Sequence, residues 1–430
     1  MSFRGKLWVL GLSGMIAAYA VIGGLPLAGN LLTTSAQEPT NDSTAQLRIV
    51  ESVLQHIQND YVDDPNMDKV RVGALRGLAG GLDPYSSYLS ADQVKNFESN
   101  KGANRGGIGA EFSQISRYLY VISAVKGSPA DKAGLKAGDV IEYVDNKATQ
   151  DISLYDAQQL VAGEAGTAVS LRVLRSGEKP QTIKVVRGSY KAPSPDSRIE
   201  GGRVGVVKVY SLENGEATEI RSQVASLQKQ GVQKIVLDLR GVATGTLTEA
   251  VAVANLFINN GELAKVLGKE NKVLNTYTAD PSKTLFNGAF AVLVDFGTAG
   301  PGEAVAAAVI DHKRGEVIGE KTFGSGTEQK LFTLRGGDGL LLTVAKWASP
   351  SGKPFLGDDR PSMGIKPTVE VKRPDTPEPL EVENLIDENN DQKQNPQPQA
   401  SPTPKAAPKA VEDLQLKKAL EVLVAKAAGA

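Results

Sequence analysis

The stretch from Phe290 to Gln329 constrains this chain most, because it reads as strand, tight turn, helix and second strand in close succession. Phe290-Ala-Val-Leu-Val294 is a short apolar run, the pattern of a strand buried in a mostly parallel sheet. Gly297-Thr-Ala-Gly-Pro-Gly302 is the turn, and Glu303 to Lys313, alanine-rich with an acid in its first turn, predicts a helix. Glu316-Val-Ile-Gly-Glu320 follows, then the loop Lys321-Thr-Phe-Gly-Ser-Gly-Thr-Glu-Gln329. A sharp turn between a strand and a helix is where hydrolases often hold a nucleophile, since the helix start offers free N–H groups to a developing oxyanion. The place suits chemistry; the residues filling it do not.

Composition bounds the alternatives. The 430 residues leave room for two or three domains, and 41% hydrophobic residues suits ordinary globular cores. A net charge of −1 and a pI near 6.3 give no electrostatic case for nucleic acid. With no cysteine, a disulfide framework and a thiolate metal site are both excluded. Only His56 and His312 are present, far apart, so no metal or other cofactor is expected. At the N-terminus Arg4 and Lys6 precede an apolar stretch from Leu7 to about Leu32. Residues 1–36 read as a secretory signal or an uncleaved signal anchor, with Thr34-Ser-Ala36 as a small-residue cleavage site. The expected location is extracytoplasmic, on the periplasmic or cell-surface side, either membrane-anchored or secreted.

Residues 45–102 predict a helical module. Leu47, Val50, Leu54, Ile57 and Tyr61 share one helical face, a second helix spans about Lys69 to Ala79, and Leu82 to Ser90 reads as a turn before a capped helix. From 103 to 189 the chain turns glycine-rich and strand-like. Arg105-Gly-Gly-Ile-Gly-Ala110 precedes Tyr118-Leu-Tyr-Val-Ile122, Gly127-Ser-Pro-Ala130 and Ala137-Gly-Asp-Val-Ile141. Such glycines let successive N–H groups point one way, a nest suited to a carboxylate, with a peptide added along the sheet edge. This ordered series resembles a PDZ domain of the bacterial type. Arg105, Gly106, Gly107, Ile108, Gly109 and Ala110 are its candidate peptide-binding residues. Residues 190–371 alternate strands (about 203–210, 234–240, 340–347) with helices (216–229, 247–258), which predicts a layered α/β core. A polar, Pro-rich linker over 372–410 leads to a C-terminal helix, 411–428, whose Leu416, Ala419, Leu420 and Leu423 share a face suited to docking.

Taken in order, these pieces resemble the C-terminal processing peptidases, also called tail-specific proteases. The marks are Leu82-Asp-Pro-Tyr-Ser-Ser-Tyr-Leu89, the PDZ series, Leu237-Asp-Leu-Arg-Gly241, Lys321-Thr-Phe-Gly324, Gly326, Gln329, Leu342-Thr-Val-Ala-Lys346, Pro350-Ser-Gly352 and Gly364-Ile-Lys-Pro367. The resemblance implies a serine endopeptidase acting near apolar C-termini through a serine–lysine dyad, with a glutamine orienting the lysine. A desolvated lysine can serve as base because burial lowers its pKa.

Here the sequence departs from that pattern. The nucleophile position, three residues before Glu303, is Gly300, and the lysine position is Ser325, while the orienting glutamine remains as Gln329. The oxyanion donor that follows the nucleophile is Pro301, which has no N–H. The second oxyanion loop keeps only its last glycine, with Thr244 and Gly245 at the relevant positions. Removing one such donor typically lowers the rate by about 10²–10³-fold. Thr298 is the fallback nucleophile, although its expected role is to cap the following helix; Lys321 and Lys330 are expected to be solvated. The expectation is therefore a pseudopeptidase that binds protein or peptide C-termini, with an active relative or a second copy as partner and the N-terminal segment in a membrane. An active Thr-dependent endopeptidase and a scaffold with both sites vestigial are the rival expectations.

Overall fold

The computed structural model describes residues 43–99, 106–201, 203–373 and 412–428. The leader expected over 1–36, Arg105 and all but the first two residues of the linker expected over 372–410 lie outside them. The described residues fall into two units, one up to Gly73 and one from Ala74 onward. In the first, helix α1 (Ser43–Asp60) carries Leu47, Ile49, Val50 and Val53 exposed. Helix α2 (Met67–Gly80) begins there and runs into the second unit. Among the described residues no helix is long and apolar enough to cross a membrane.

In the second unit the turn after α2 holds a surprise. Strand β1 (Ser87–Leu89) pairs antiparallel with a strand far along the chain, Ser87 opposite Leu341. A turn leading straight to a helix was the expectation for this stretch, and helix α3 (Ala91–Ser99) does follow. Three residues are too short to show a period, so the strand leaves no mark in the sequence. Asp83 builds the turn: Oδ1 accepts from the N–H groups of Tyr85 and Ser86, and Oδ2 accepts from the Ser86 hydroxyl.

The PDZ-like domain comprises β2 (Ala110–Ile115), β3 (Tyr118–Ala124), α4 (Pro129–Lys132), β4 (Val140–Val144), β5 (Lys147–Ala148), α5 (Leu154–Val161), β6 (Ala168–Leu174) and β7 (Gln181–Val186). Its sheet runs β2-β3-β4-β6-β7, with β5 beside β4. Leu119, Val121, Ile141, Leu171 and Val173 pack against Leu154, Ala157 and Val161 of α5, all buried. Each buried Leu, Ile or Val side chain among them contributes on the order of 1.5–3 kcal/mol.

The α/β core contains β8 (Asp196–Glu200), β9 (Val204–Lys208), α6 (Glu216–Lys229), β10 (Lys234–Asp238), α7 (Leu247–Asn255), β11 (Glu262–Leu267), β12 (Val273–Thr278), β13 (Ala289–Val294), α8 (Pro301–Asp311), β14 (Glu316–Gly319), β15 (Thr327–Thr333), β16 (Gly339–Ala348), β17 (Val369–Glu370) and α9 (Leu414–Ala428). The main sheet is ordered β17-β14-β13-β10-β9-β8 and is parallel except for β8. Strand alternation explains the unbroken apolar runs. Val292, Val294, Ile235 and Leu237 face the cluster holding α6, α7 and α8. Ala291, Leu293, Val236 and Ile318 face Leu416, Ala419 and Leu423 of α9, which docks on the opposite side as expected. A second sheet, β1-β16-β11-β12 with β15 against β16, completes the core.

Ionic contacts anchor the C-terminal segment. Arg240 lies between Asp238 at 2.7 Å and Asp413 at 2.8 Å, and Arg373 lies 3.2 Å from Asp295. Lys372 and Arg373, assigned to the linker from composition, still belong to the folded core: the Arg373 N–H donates to Glu320. Burial pushes the Asp238 carboxyl up, but the Lys208 ammonium and Arg240 guanidinium outweigh it and hold the group well below the usual carboxylate range.

Candidate functional site

The turn after β13 delivers Gly300 to the start of α8. Gly300 is the N-cap residue with φ +47° and ψ −103°, a region that L side chains rarely enter and that strained nucleophile elbows share. A Cβ built there would meet only the Ser325 hydroxyl at 3.5 Å and the Trp347 ring at 3.6 Å, both ordinary contacts. Gly300 and Ser325 therefore face each other with room for a Cβ between them, although the Gly300 backbone conformation itself disfavours any residue but glycine. Pro301 is the first helical residue, where a missing N–H costs the helix nothing.

Glu303 holds this arrangement together. It is fully buried. Oε1 accepts from the Gly324 N–H at 2.8 Å and from the Thr322 hydroxyl, while Oε2 accepts from the N–H groups of Gly300 at 2.8 Å and Ser325 at 2.9 Å. Thr322 Oγ1 itself accepts from the Ile365 N–H at 2.7 Å, so its proton is free for the carboxylate. One carboxylate thus ties Gly300 to Ser325, the two positions where the resemblance leads one to expect nucleophile and base. Burial pushes its pKa up to about 7, against the opposing pull of the Ser325, Thr322, Gly300 and Gly324 donors. In the sequence this residue showed only as an acid in a first turn; its four-donor role depends on a loop some twenty residues later.

Thr298 does not cap α8. Its buried hydroxyl accepts from the Asp295 N–H at 3.0 Å and lies 3.0 Å from the Leu239 carbonyl, closing the turn before the helix. Gly300 takes the cap position because its backbone N–H reaches Glu303 directly. Gln329 is exposed, and its amide nitrogen donates to Thr327 at 2.6 Å, not to Ser325. The loop bearing Thr244 and Gly245 lies against β9's continuation: the Leu212 N–H donates to Thr244 O at 2.9 Å, and Leu212 bridges Gly245. Its start touches the elbow, since the Ala299 N–H donates to Val242 O at 2.9 Å. Lys321 is not simply solvated: Nζ donates to Pro361 O at 2.8 Å and Arg360 O at 3.1 Å. Lys330 sits over the Phe332 ring.

Three neighbours of the cleft were not singled out as site residues from the sequence, although Tyr85 lies in the Leu82–Leu89 stretch and Trp347 in a strand read there. Trp347 on β16 packs its ring against Gly300 and Gly326, its backbone N–H donates to Gly326 O at 2.8 Å, and its indole N–H donates to Glu328 Oε1 at 3.2 Å. Arg360 stacks 5.1 Å from both the Phe296 and Phe323 rings. Tyr85 packs against the PDZ cluster and against a second cluster made by Ile122, Phe296, Ala299, Phe323, Leu356 and Met363. Burial pushes its phenol up to about 12, and the Ser113 and Ser325 hydroxyls beside it pull the other way. Neither reaches hydrogen-bond geometry with it: Tyr85 Oη and Ser113 Oγ are buried without a partner.

The glycine loop of the PDZ-like domain is intact from Gly106 onward. Gly106 and Gly107 bridge Gly163 and Gly188. The carbonyls of Ile108 and Gly109 accept from the N–H groups of Ala130 at 2.7 Å and Val125 at 2.8 Å. The N–H groups of Ile108 and Gly109 take no partner among the described residues. Among those residues no cluster of three His, Cys, Asp or Glu could hold a metal. A cavity of about 500 Å³ lies elsewhere, at the carboxyl ends of the parallel strands, lined by Lys208, Asp238, Arg240, Asp295 and Arg373 among others.

Comparison with known proteins agrees with this geometry. The model for peptidase family S41 matches residues 203–371, and the PDZ domain model matches 120–175. A probable CtpA-like serine protease of Staphylococcus aureus (strain MRSA252) is 34% identical over 333 residues, covering 77% of this chain and 66% of that protein. The chain thus spans just under two thirds of that relative's length. The carboxy-terminal processing protease CtpA of Bacillus subtilis (strain 168) is 31% identical over 340 residues, covering 79% of this chain and 72% of that protein. Among solved structures, the photosystem II D1 C-terminal processing protease is similar with a TM-score of 0.62 at 26% identity, over 76% of this chain and 93% of that one. With its PDZ domain, its layered α/β core and its elbow in place, the chain belongs to the C-terminal processing peptidases of family S41.

Proposed function

We propose that this chain is a pseudopeptidase that captures protein C-termini outside the cytoplasm without cutting them. One observation carries the reading: at the elbow Gly300 faces Ser325, with Pro301 where an oxyanion donor is needed. A nucleophile, a base and a donor are missing from one cleft, so no acyl intermediate has a route there. The fallback Thr298 is supported less well, because its hydroxyl is buried and hydrogen-bonded within its own turn. Tail capture is supported by the Gly106–Gly109 loop, whose carbonyls are tied back while two N–H groups lack protein partners. On this reading the leader places the folded chain on the outer side of a membrane, where it holds tails for itself or for an active relative. The rival scaffold reading differs in one measurable respect, tail binding. Calorimetric titration of a peptide with an apolar free C-terminus against its amidated form tests it. Capture requires at least tenfold weaker binding of the amide; equal or absent binding of both forms would favour the scaffold.

A further inference from the structure

Beside the larger cavity at the strand ends lies a second hollow of about 320 Å³. The two share Ala124, Asp131, Gly241, Asp295 and Arg373, and so form one groove. Ser123, near the end of β3, lines the second hollow from the PDZ-like domain. Arg373, beyond β17, lines it from the α/β core, and Lys136 enters from the loop between α4 and β4.

The acceptors of this hollow are already engaged. Asp131 accepts from the Gly127 N–H at 2.8 Å and lies 3.3 Å from the Lys126 ammonium. Asp139 accepts from Arg175 Nε at 2.6 Å, from Arg175 Nη2 at 2.8 Å and from the Lys136 backbone N–H at 2.8 Å. Asp295 accepts from the Gly241 N–H at 2.9 Å and lies 3.2 Å from Arg373 Nη2. The donors are a different matter. Ser123 Oγ and Arg373 Nε are both buried without a partner. Ser123 is only 3% exposed, a burial at which a hydroxyl ordinarily has one. The Lys136 ammonium, on the same wall, pairs with no carboxylate among the described residues.

A hydroxyl, a guanidinium N–H and an ammonium line one hollow whose carboxylates are spent. That donor set fits a negatively charged oxygen acceptor. A cation or an apolar group would leave the two buried donors stranded. We propose that this groove is a binding site for a small oxyanion, a phosphate or a carboxylate, held by Ser123 Oγ, Arg373 Nε and Lys136 Nζ. None of the three donors belongs to the elbow or to the Gly106–Gly109 loop, so the site stands whether or not tails bind there and whether or not bonds are cut.

Thermal unfolding of the full chain tests the site, at constant ionic strength, with chloride replaced by inorganic phosphate in one arm and by acetate in the other. A ligand of the folded state raises the midpoint along a saturable curve, whereas anions merely excluded from the surface raise it without saturation. Saturation by phosphate alone assigns a phosphate-bearing ligand, and saturation by acetate alone a carboxylate. Ser123→Ala should weaken the apparent affinity about tenfold, through loss of one charge-assisted hydrogen bond. Without the anion the same variant should unfold no earlier than the parent, because it removes a stranded hydroxyl. Lys136→Gln, at an exposed position, should weaken binding and leave the anion-free midpoint unchanged. No saturable rise with either anion, or a rise that either variant leaves intact, would overturn the site. So would earlier unfolding of Ser123→Ala without the anion, since a hydroxyl satisfied by buried water needs no ligand.

Discussion

The elbow at Gly300 and the glycine loop at Gly106–Gly109 are both glycine-dependent turns leading into regular structure, yet they differ in what would carry their function. At the elbow the backbone takes an unusual conformation, with φ +47° at Gly300, and on the proposed reading the side chains that would react there are absent. In the loop the proposed binding groups are the backbone N–H bonds themselves, so on that reading the residues that shape the turn also supply the function. Chemistry carried by side chains can be deleted from a scaffold without disturbing it. Recognition carried by the main chain cannot be deleted without breaking the turn.

The sharpest way to break this comparison is at Glu303, the residue on which the empty elbow depends. Glu303→Ala leaves three backbone N–H groups and the Thr322 hydroxyl without acceptors. At about 1–3 kcal/mol for each stranded group, a loss of 4 kcal/mol or more is expected in urea unfolding (roughly, allowing for water entry). A loss below about 1 kcal/mol would mean the brace is dispensable. Glu303→Gln should cost less, since it keeps the shape but turns a donor toward donors.

The next largest effect concerns pH. Glu303 has a folded pKa of about 7 against an ordinary 4.5, and Glu111 is raised likewise. A raised acid favours the folded state fully only below its unfolded value, so stability should fall as pH rises from about 4.5 to 7. Glu303 alone contributes up to about 3 kcal/mol to that fall. Asp238 has the opposite sign. Its depressed pKa gives stability that is present above its ordinary 3.8 and lost as pH drops below it. Thermal unfolding of the parent and of Glu303→Gln across this range checks both slopes.

The loop offers the matching perturbation. Gly109 has φ +74°, and a Cβ there would lie 2.3 Å from Ser128 Cβ, whereas Gly107 would meet only Tyr190 at 3.6 Å. Gly109→Ala should therefore weaken tail binding at least tenfold and cost about 1–2 kcal/mol, with Gly107→Ala much milder. The smallest expected effect is at the docked helix. Asp413→Asn keeps the cap but weakens the bridge to Arg240, a partly exposed contact worth about 1 kcal/mol or less. Faster amide exchange along α9, without change in the main sheet, is the expected sign.

The architecture was legible in the sequence where the pattern repeats. The run 290–294, the helix 216–229 and the face shared by Leu416, Ala419 and Leu423 all declare themselves by period, and each is found in the fold. β1 was not legible, because three residues joining a strand some 250 positions away have no period to read. The site divides the same way. The proposed degeneracy of the elbow rests on the sequence alone, since Gly300, Pro301 and Ser325 are identities rather than contacts. The roles of Glu303, Tyr85 and Trp347 are contacts between distant segments, and Thr298 was misassigned because a threonine before a proline-led helix resembles a cap until its hydroxyl is seen closing the previous turn.

The most direct test of an elbow kept without its chemistry is a cleavage assay on the purified full chain. An unfolded protein with an apolar C-terminus is incubated with it and followed by intact-mass spectrometry. The substrate should remain whole while its tail still binds. Turnover that disappears on a single hydroxyl substitution, Thr298→Ala or Ser325→Ala, would contradict the account.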